Sequence, residues 1–215
     1  MKSNKAVLTF TTIPALSLVG CASNPDSSDA LQADAIQSET NSQIAQIKTA
    51  LDTATEQLNQ AELDELSWFA EDSIKAATKA LNAAQENYSE FEFEPSKAND
   101  STGFFSSKTY LKAANENLAL FNQHYSQAQN IRTEAMTTLA TAFDNRHYLE
   151  ELDANLYFPQ TVTELDEELK SLVDTIAEGD SDEAIAKQPT LTSKQNTLII
   201  KVTTAVYLGE AEEQL

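Results

Sequence analysis

Apolar residues along this chain recur in alternating steps of three and four, the spacing that lines one side of an α-helix. Ile44, Ile47, Leu51, Ala54, Leu58 and Ala61 make a first stripe, and Ala70, Ile74, Ala77, Leu81, Ala84 and Tyr88 a second. A third runs through Leu111, Ala114, Leu118, Phe121, Tyr125 and Ala128 and continues through Ile131, Ala135, Leu139 and Ala142. Val162, Leu165, Leu169, Leu172 and Ile176 form a fourth; Leu191, Gln195, Leu198, Val202 and Ala205 form a fifth with one polar interruption. No stretch alternates with period two for long, so strands are not required. The pattern predicts an all-α fold: an elongated antiparallel helical bundle with coiled-coil-like seams.

The breaks agree with that division. Residues 91–106, FEFEPSKANDSTGFFS, hold Pro95, Asn99-Asp100 and Gly103 and separate the second stripe from the third. Pro159 suits the first turn of the fourth helix. Gly179-Asp180-Ser181-Asp182 closes it and opens a short helix, which Pro189 is expected to end. Two stretches invite comparison as a faint internal repeat, the alternative being that any two amphipathic helices can be slid into register. Trp68-Phe69 before one helix resembles Tyr157-Phe158-Pro159 before another, and the seam from Ile74 to Tyr88 aligns 88 positions later with that from Val162 to Ile176. The bundle is expected over residues 30–215, divisible into halves of about 30–145 and 146–215.

Composition narrows the class. Only 4 glycines and 5 prolines occur, which favours helix over sheet. The 34 acidic against 14 basic residues give a net charge of −20, which repels nucleic acid and makes it an unsuitable partner.

The first 21 residues carry the most specific signal. Lys2 and Lys5 precede an apolar run from Ala6 to Val19, and Leu18-Val19-Gly20 stands directly before Cys21, the only cysteine. A polar stretch, ASNPDSSD, follows. The apolar run is shorter than the roughly 20 residues of a membrane-spanning helix. This arrangement resembles the lipobox signal peptide of bacterial lipoproteins. The resemblance implies that residues 1–20 are removed, that Cys21 is acylated and becomes the first mature residue, and that residues 21–29 are a lipidated, flexible tether. Loss of Lys2 and Lys5 leaves 12 basic against 34 acidic residues, a balance of −22. Ala22 after the cysteine implies the outer membrane, at its periplasmic face, rather than the inner. The region of about residues 45–145 also resembles helical domains of uncharacterised envelope lipoproteins.

Motifs for chemistry are missing. The sequence contains no GxxxxGK[ST] phosphate loop, no HExxH and no GxSxG. A di-iron bundle needs Glu-x-x-His on two helices; Asp144-Asn145-Arg146-His147 has the spacing once, and Phe121 stands where His124 would need its carboxylate. No catalytic residue, metal site or cofactor is expected. The acidic clusters at residues 62–65, 150–153 and 164–168 read as solvated faces and helix first turns.

Aromatic residues offer the best lead. Trp68-Phe69 crowd a helix start, and Phe91, Phe93, Phe104, Phe105 and Tyr110 the long loop, where they either fold back on the bundle or present a partner surface. The expected function is a non-enzymatic, membrane-anchored scaffold or adaptor, bound to the bilayer through acylated Cys21 and to another envelope protein through that surface. The alternative is a bundle that holds an apolar ligand or a metal ion.

Overall fold

A computed structural model describes the backbone of residues 25–213 and the side-chain surroundings of residues 35–207. The expected signal peptide, Cys21 and residues 22–24 lie outside the described residues. Two compact units divide the chain, Met1–Glu39 and Thr40–Leu215, and the packing described here belongs to the second.

The described residues contain eight α-helices and no strand. They are α1 (Pro25–Leu63), α2 (Leu66–Phe69), α3 (Glu71–Ser89), α4 (Tyr110–Thr138), α5 (Ala140–Glu151), α6 (Ala154–Tyr157), α7 (Pro159–Ala177) and α8 (Ser181–Glu213). A 3-10 turn, Pro95–Asn99, lies in the long loop. The all-α helical bundle read from the stripes is the observed fold. α1 begins at Pro25, so residues 25–29 of the expected tether are helical.

Two hydrophobic clusters organise the bundle. In the first, Ile47, Leu51 and Ala54 of α1 meet Ile74, Ala77, Leu81 and Ala84 of α3 and Ala114, Leu118, Phe121 and Ala128 of α4. α1 and α3 run antiparallel: Gln85 Nε2 donates to Thr55 Oγ1 at 3.5 Å, while Tyr88, one turn on, feels the charges of Lys48 and Asp52. The second cluster joins Ala135 and Leu139, Ala142 and Leu149 of α5, Leu165, Leu169 and Leu172 of α7, and Leu191, Leu198 and Val202 of α8. The changeover falls between Ile131 and Ala135, within α4, so this helix is the third of one three-helix group and leads into the first of the next. The frequent alanines on these seams leave no bulk to hold the helices apart.

The third stripe is interrupted at Leu139, whose φ of −104° and ψ of 23° leave the helical region. Leu139 is nonetheless fully buried, so the seam crosses the break. Pro189 does not end a short helix as expected; it sits inside α8. A proline there removes one backbone donor and crowds the preceding turn, at a cost of about 3 kcal/mol. The flanking Ala184, Leu191, Gln195 and Leu198 are buried on one side, and that packing carries the helix through.

Gly179, with φ +93°, ends α7. Its N–H donates to the Ile176 carbonyl and that of Asp180 to Thr175, a Schellman pair that needs the left-handed glycine. Asp180 then caps α8 by accepting from Glu183 N–H at 3.1 Å.

Two segments of the backbone resemble one another. α3 and α7 each have 19 residues and begin 88 positions apart. Glu65 and Asp153, also 88 apart, both take the left-handed conformation that stops the preceding helix. The same hydrogen bonds follow: Trp68 N–H to Glu65 O and Leu156 N–H to Asp153 O, then Ala70 to Leu66 and Phe158 to Ala154. In this register Trp68-Phe69 correspond to Leu156-Tyr157, one position earlier than the aromatic resemblance had paired them.

Candidate functional site

The long loop between α3 and α4 is a built structure. Phe91 is fully buried in the first cluster, its ring edge-on to Tyr88 at 5.3 Å, and Ala98 buries the 3-10 turn against the same core. Beyond that anchor the chain forms a small hairpin. Tyr110 N–H donates to Asp100 O at 3.1 Å and Thr102 N–H to Lys108 O at 2.9 Å. Ser106 N–H donates to Gly103 O at 2.9 Å, closing a four-residue turn whose two central residues are Phe104 and Phe105. Side chains lock the neck: the Ser101 hydroxyl donates to Gly103 O at 2.7 Å, and Ser106 Oγ accepts from Lys108 N–H at 3.1 Å. Thr109 Oγ1 accepts from Lys112 N–H at 3.3 Å and caps α4.

The tip holds two aromatic rings in water. Phe104 is 94% and Phe105 97% exposed, and their rings meet edge-to-face at 4.9 Å. Phe93, at 91% exposure, joins them. Burying a phenylalanine side chain contributes about 1.5–3 kcal/mol, and the fold gains none of this at the tip. The five aromatics of the sequence lead therefore divide. Phe93, Phe104 and Phe105 face solvent, Phe91 belongs to the core, and Tyr110 is half-buried against that core.

Charge at the hairpin is balanced locally. Lys97 lies 2.7 Å from Glu94 and Lys108 2.5 Å from Glu116. These bonds raise the Lys97 ammonium above its ordinary value and lower the Glu116 carboxyl below its own.

A second cluster surrounds Trp68 and Phe69, and the arginines that complete it went unnoticed in the sequence. The chain has two arginines, and both lie over the α2 aromatics: Arg132 5.8 Å from the Phe69 ring and Arg146 5.9 Å from that of Trp68. Trp68 and Phe69 meet edge-to-face at 4.9 Å, and Phe143 packs against both, 6.1 Å from Trp68 and 5.7 Å from Phe69. Arg146 also holds Asp166 at 3.0 Å and Glu150 at 3.3 Å. Phe69 lies in the second hydrophobic cluster although α2 precedes α3, so this box joins the two halves. The signal was the placement of both arginines within reach of one aromatic pair, which no helical period reveals.

Beside it, Arg146, Leu149, Ala154, Val162, Leu165 and Gln195 line a half-open pocket of about 260 Å³. That lies below the 300–1,000 Å³ range of drug-sized ligand sites. Gln195, the polar interruption of the fifth stripe, is buried and fully engaged: its Nε2 donates to Ala142 O at 3.0 Å and its Oε1 accepts from Asn145 Nδ2 at 3.4 Å. Among the described residues no group of three or more His, Cys, Asp or Glu is placed to hold a metal ion. His147 is exposed on α5, 3.8 Å from Glu150 and 3.4 Å from Glu151. Among the described residues no helix is long and apolar enough to cross a membrane.

No protein-family model matches the chain, and no curated protein or solved structure matches it significantly.

Proposed function

We propose that this protein is a lipid-anchored, non-enzymatic scaffold of the bacterial cell envelope. It is held to the periplasmic face of the outer membrane through acylated Cys21 and grips another envelope protein with its aromatic hairpin. One observation carries the contact: Phe104 and Phe105 stand 94% and 97% exposed at the centre of a turn whose neck is closed by backbone and side-chain hydrogen bonds. A preformed turn lowers the backbone ordering cost of presenting its rings on binding, which favours recognition. The lipobox-like run Leu18-Val19-Gly20-Cys21 supports the anchor.

A photo-crosslinking residue in place of Phe105, activated in cells, tests the contact. A discrete protein adduct that disappears when Phe93 and Phe104 are changed to Ser supports the scaffold. Absence of any discrete adduct, or an adduct indifferent to those changes, overturns it.

A further inference from the structure

The two helix–turn–helix corners of the bundle, α1–α2–α3 and α5–α6–α7, each open a cleft at the same place. Leu58, Ala61, Glu62, Ser67, Ile74 and Thr78 are among the residues lining the first. The residues 88 positions later, Arg146, Leu149, Glu150, Asn155, Val162 and Asp166, all line the second, the half-open pocket of about 260 Å³. Backbone geometry makes a cleft at both corners, and the side chains decide what each can hold.

The two linings differ in chemistry. Glu62 is the only charged residue lining the first cleft. In the second, Arg146 stands where the first has Leu58, and Asp166 where it has Thr78. Arg146 Nε donates to Asp166 at 3.0 Å, and a terminal nitrogen of the same guanidinium lies 3.3 Å from Glu150. Asp153 completes the rim, so one positive charge faces three negative ones, a balance of −2. The turn fixes Asp153: its N–H donates to Glu150 O at 3.0 Å, with φ at 50°. Inside the rim the wall is apolar, with Leu149, Ala154 and Leu165 buried and Val162 half-buried. Gln195 also lines the pocket, its amide already bonded to Ala142 O and to Asn145.

These features discriminate among ligands. The volume lies below that of drug-sized sites and suits a single aliphatic chain. An anion meets an excess of carboxylates and an arginine whose donors are engaged. A neutral chain gains the apolar wall and nothing from the rim. A chain ending in ammonium gains both, because it buries its methylenes along apolar surface and keeps its charged head at the water's edge.

We propose that the α5–α6–α7 corner binds a short alkylammonium group, its methylenes against Leu149, Val162 and Leu165 and its nitrogen at the rim of Asp153 and Asp166. The site goes beyond the scaffold reading, since no hairpin residue lines it. Two sources share this chemistry, a free aliphatic amine and the lysine side chain of a protein.

The test follows the amide signals of the full chain by NMR during titration with n-hexylammonium, ethylammonium or hexanoate. The proposal expects saturable shifts at Ala154, Asn155, Val162 and Leu165 with hexylammonium, several-fold weaker binding of ethylammonium, and no saturation by hexanoate. Asp153→Asn should weaken hexylammonium several-fold, whereas Glu62→Gln, the same loss of one charge at the other corner, should leave it unchanged. Val162→Phe should abolish binding by filling the pocket; should that variant unfold, the exposed Asp153 position carries the test. Shifts spread over the acidic surface without saturation, equal binding of hexanoate, or equal weakening by Glu62→Gln overturns the proposal. A blocked Gly-Gly-Lys-Gly-Gly peptide separates the sources. Displacement of bound hexylammonium by the peptide supports the pocket as a lysine receptor, and hexylammonium bound but not displaced supports it as a site for a free amine.

Discussion

Glu65 and Asp153, 88 positions apart, share one backbone conformation: φ 54° and ψ 28° at the first, φ 50° and ψ 36° at the second. Each stops a helix, starts a single helical turn and sets the direction of the 19-residue helix that follows. The left-handed region costs a side-chain-bearing residue roughly 1–2 kcal/mol, and glycine tolerates it freely. Glu65→Gly and Asp153→Gly are therefore each expected to stabilise the protein by about 1 kcal/mol, raising Tm by about 2–4 °C for a chain of this size. Thermal unfolding followed by circular dichroism measures this. Destabilisation by both changes would show that the side chains, rather than the backbone angle, hold these turns.

Burial separates the loop phenylalanines. Phe91→Ala removes a fully buried ring and its edge contact with Tyr88, and a loss of about 3–5 kcal/mol is expected. Phe104→Ser and Phe105→Ser should change stability by less than about 0.5 kcal/mol each, as surface substitutions do. Urea titration of the three variants decides; a large loss at position 104 or 105 would mean the tip supports the fold.

Gln195 is a polar residue at an otherwise apolar seam position. Gln195→Leu keeps the volume, and the Ala142 carbonyl keeps its place in α5, so the change should be nearly neutral or cost about 1 kcal/mol. Gln195→Glu puts a carboxylate against that carbonyl in a buried site and should cost several kcal/mol at neutral pH. Its folded carboxyl would be raised above the unfolded one, so the lost stability should return as pH falls toward the carboxylate range. A Gln195→Glu variant as stable as the parent at pH 7 would contradict the burial.

Two buried phenols set an alkaline limit. Burial raises both the Tyr88 and the Tyr125 hydroxyl above the ordinary value of about 10. Above that value the unfolded chain releases protons that the native chain keeps, so native stability is intact below about pH 10 and declines as pH rises through the raised folded values. Tyr88→Phe and Tyr125→Phe should flatten the decline between pH 10 and 11. Parallel curves for parent and variants would rule these phenols out as its cause.

Period and punctuation carried much of the fold into view before any coordinates. Ile47, Leu51 and Ala54, Ala77, Leu81 and Ala84, and Leu165, Leu169 and Leu172 are all buried as their stripes imply, because helix spacing determines which side chains share a side. The breaks at Glu65 and Asp153 were invisible, since neither carries the glycine or proline that usually marks such a stop. Pro189 misled for the converse reason: packing of Leu191, Gln195 and Leu198 outweighs a local breaker. At the loop, residue type singled out the aromatics but could not separate Phe91, three positions after a seam residue, from Phe104 and Phe105 at a turn centre. The arginine–aromatic box joins residues 68–69 to residues 132–146, a distance along the chain that no local pattern spans.

Membrane attachment through Cys21 is the claim on which the scaffold depends, and cell fractionation with labelled palmitate tests it most directly. The parent chain should incorporate label and float with the membranes, while Cys21→Ser should carry no label and leave the membrane fraction. A Cys21→Ser chain that still floats with the membranes, or a parent chain that takes up no label, would contradict the account.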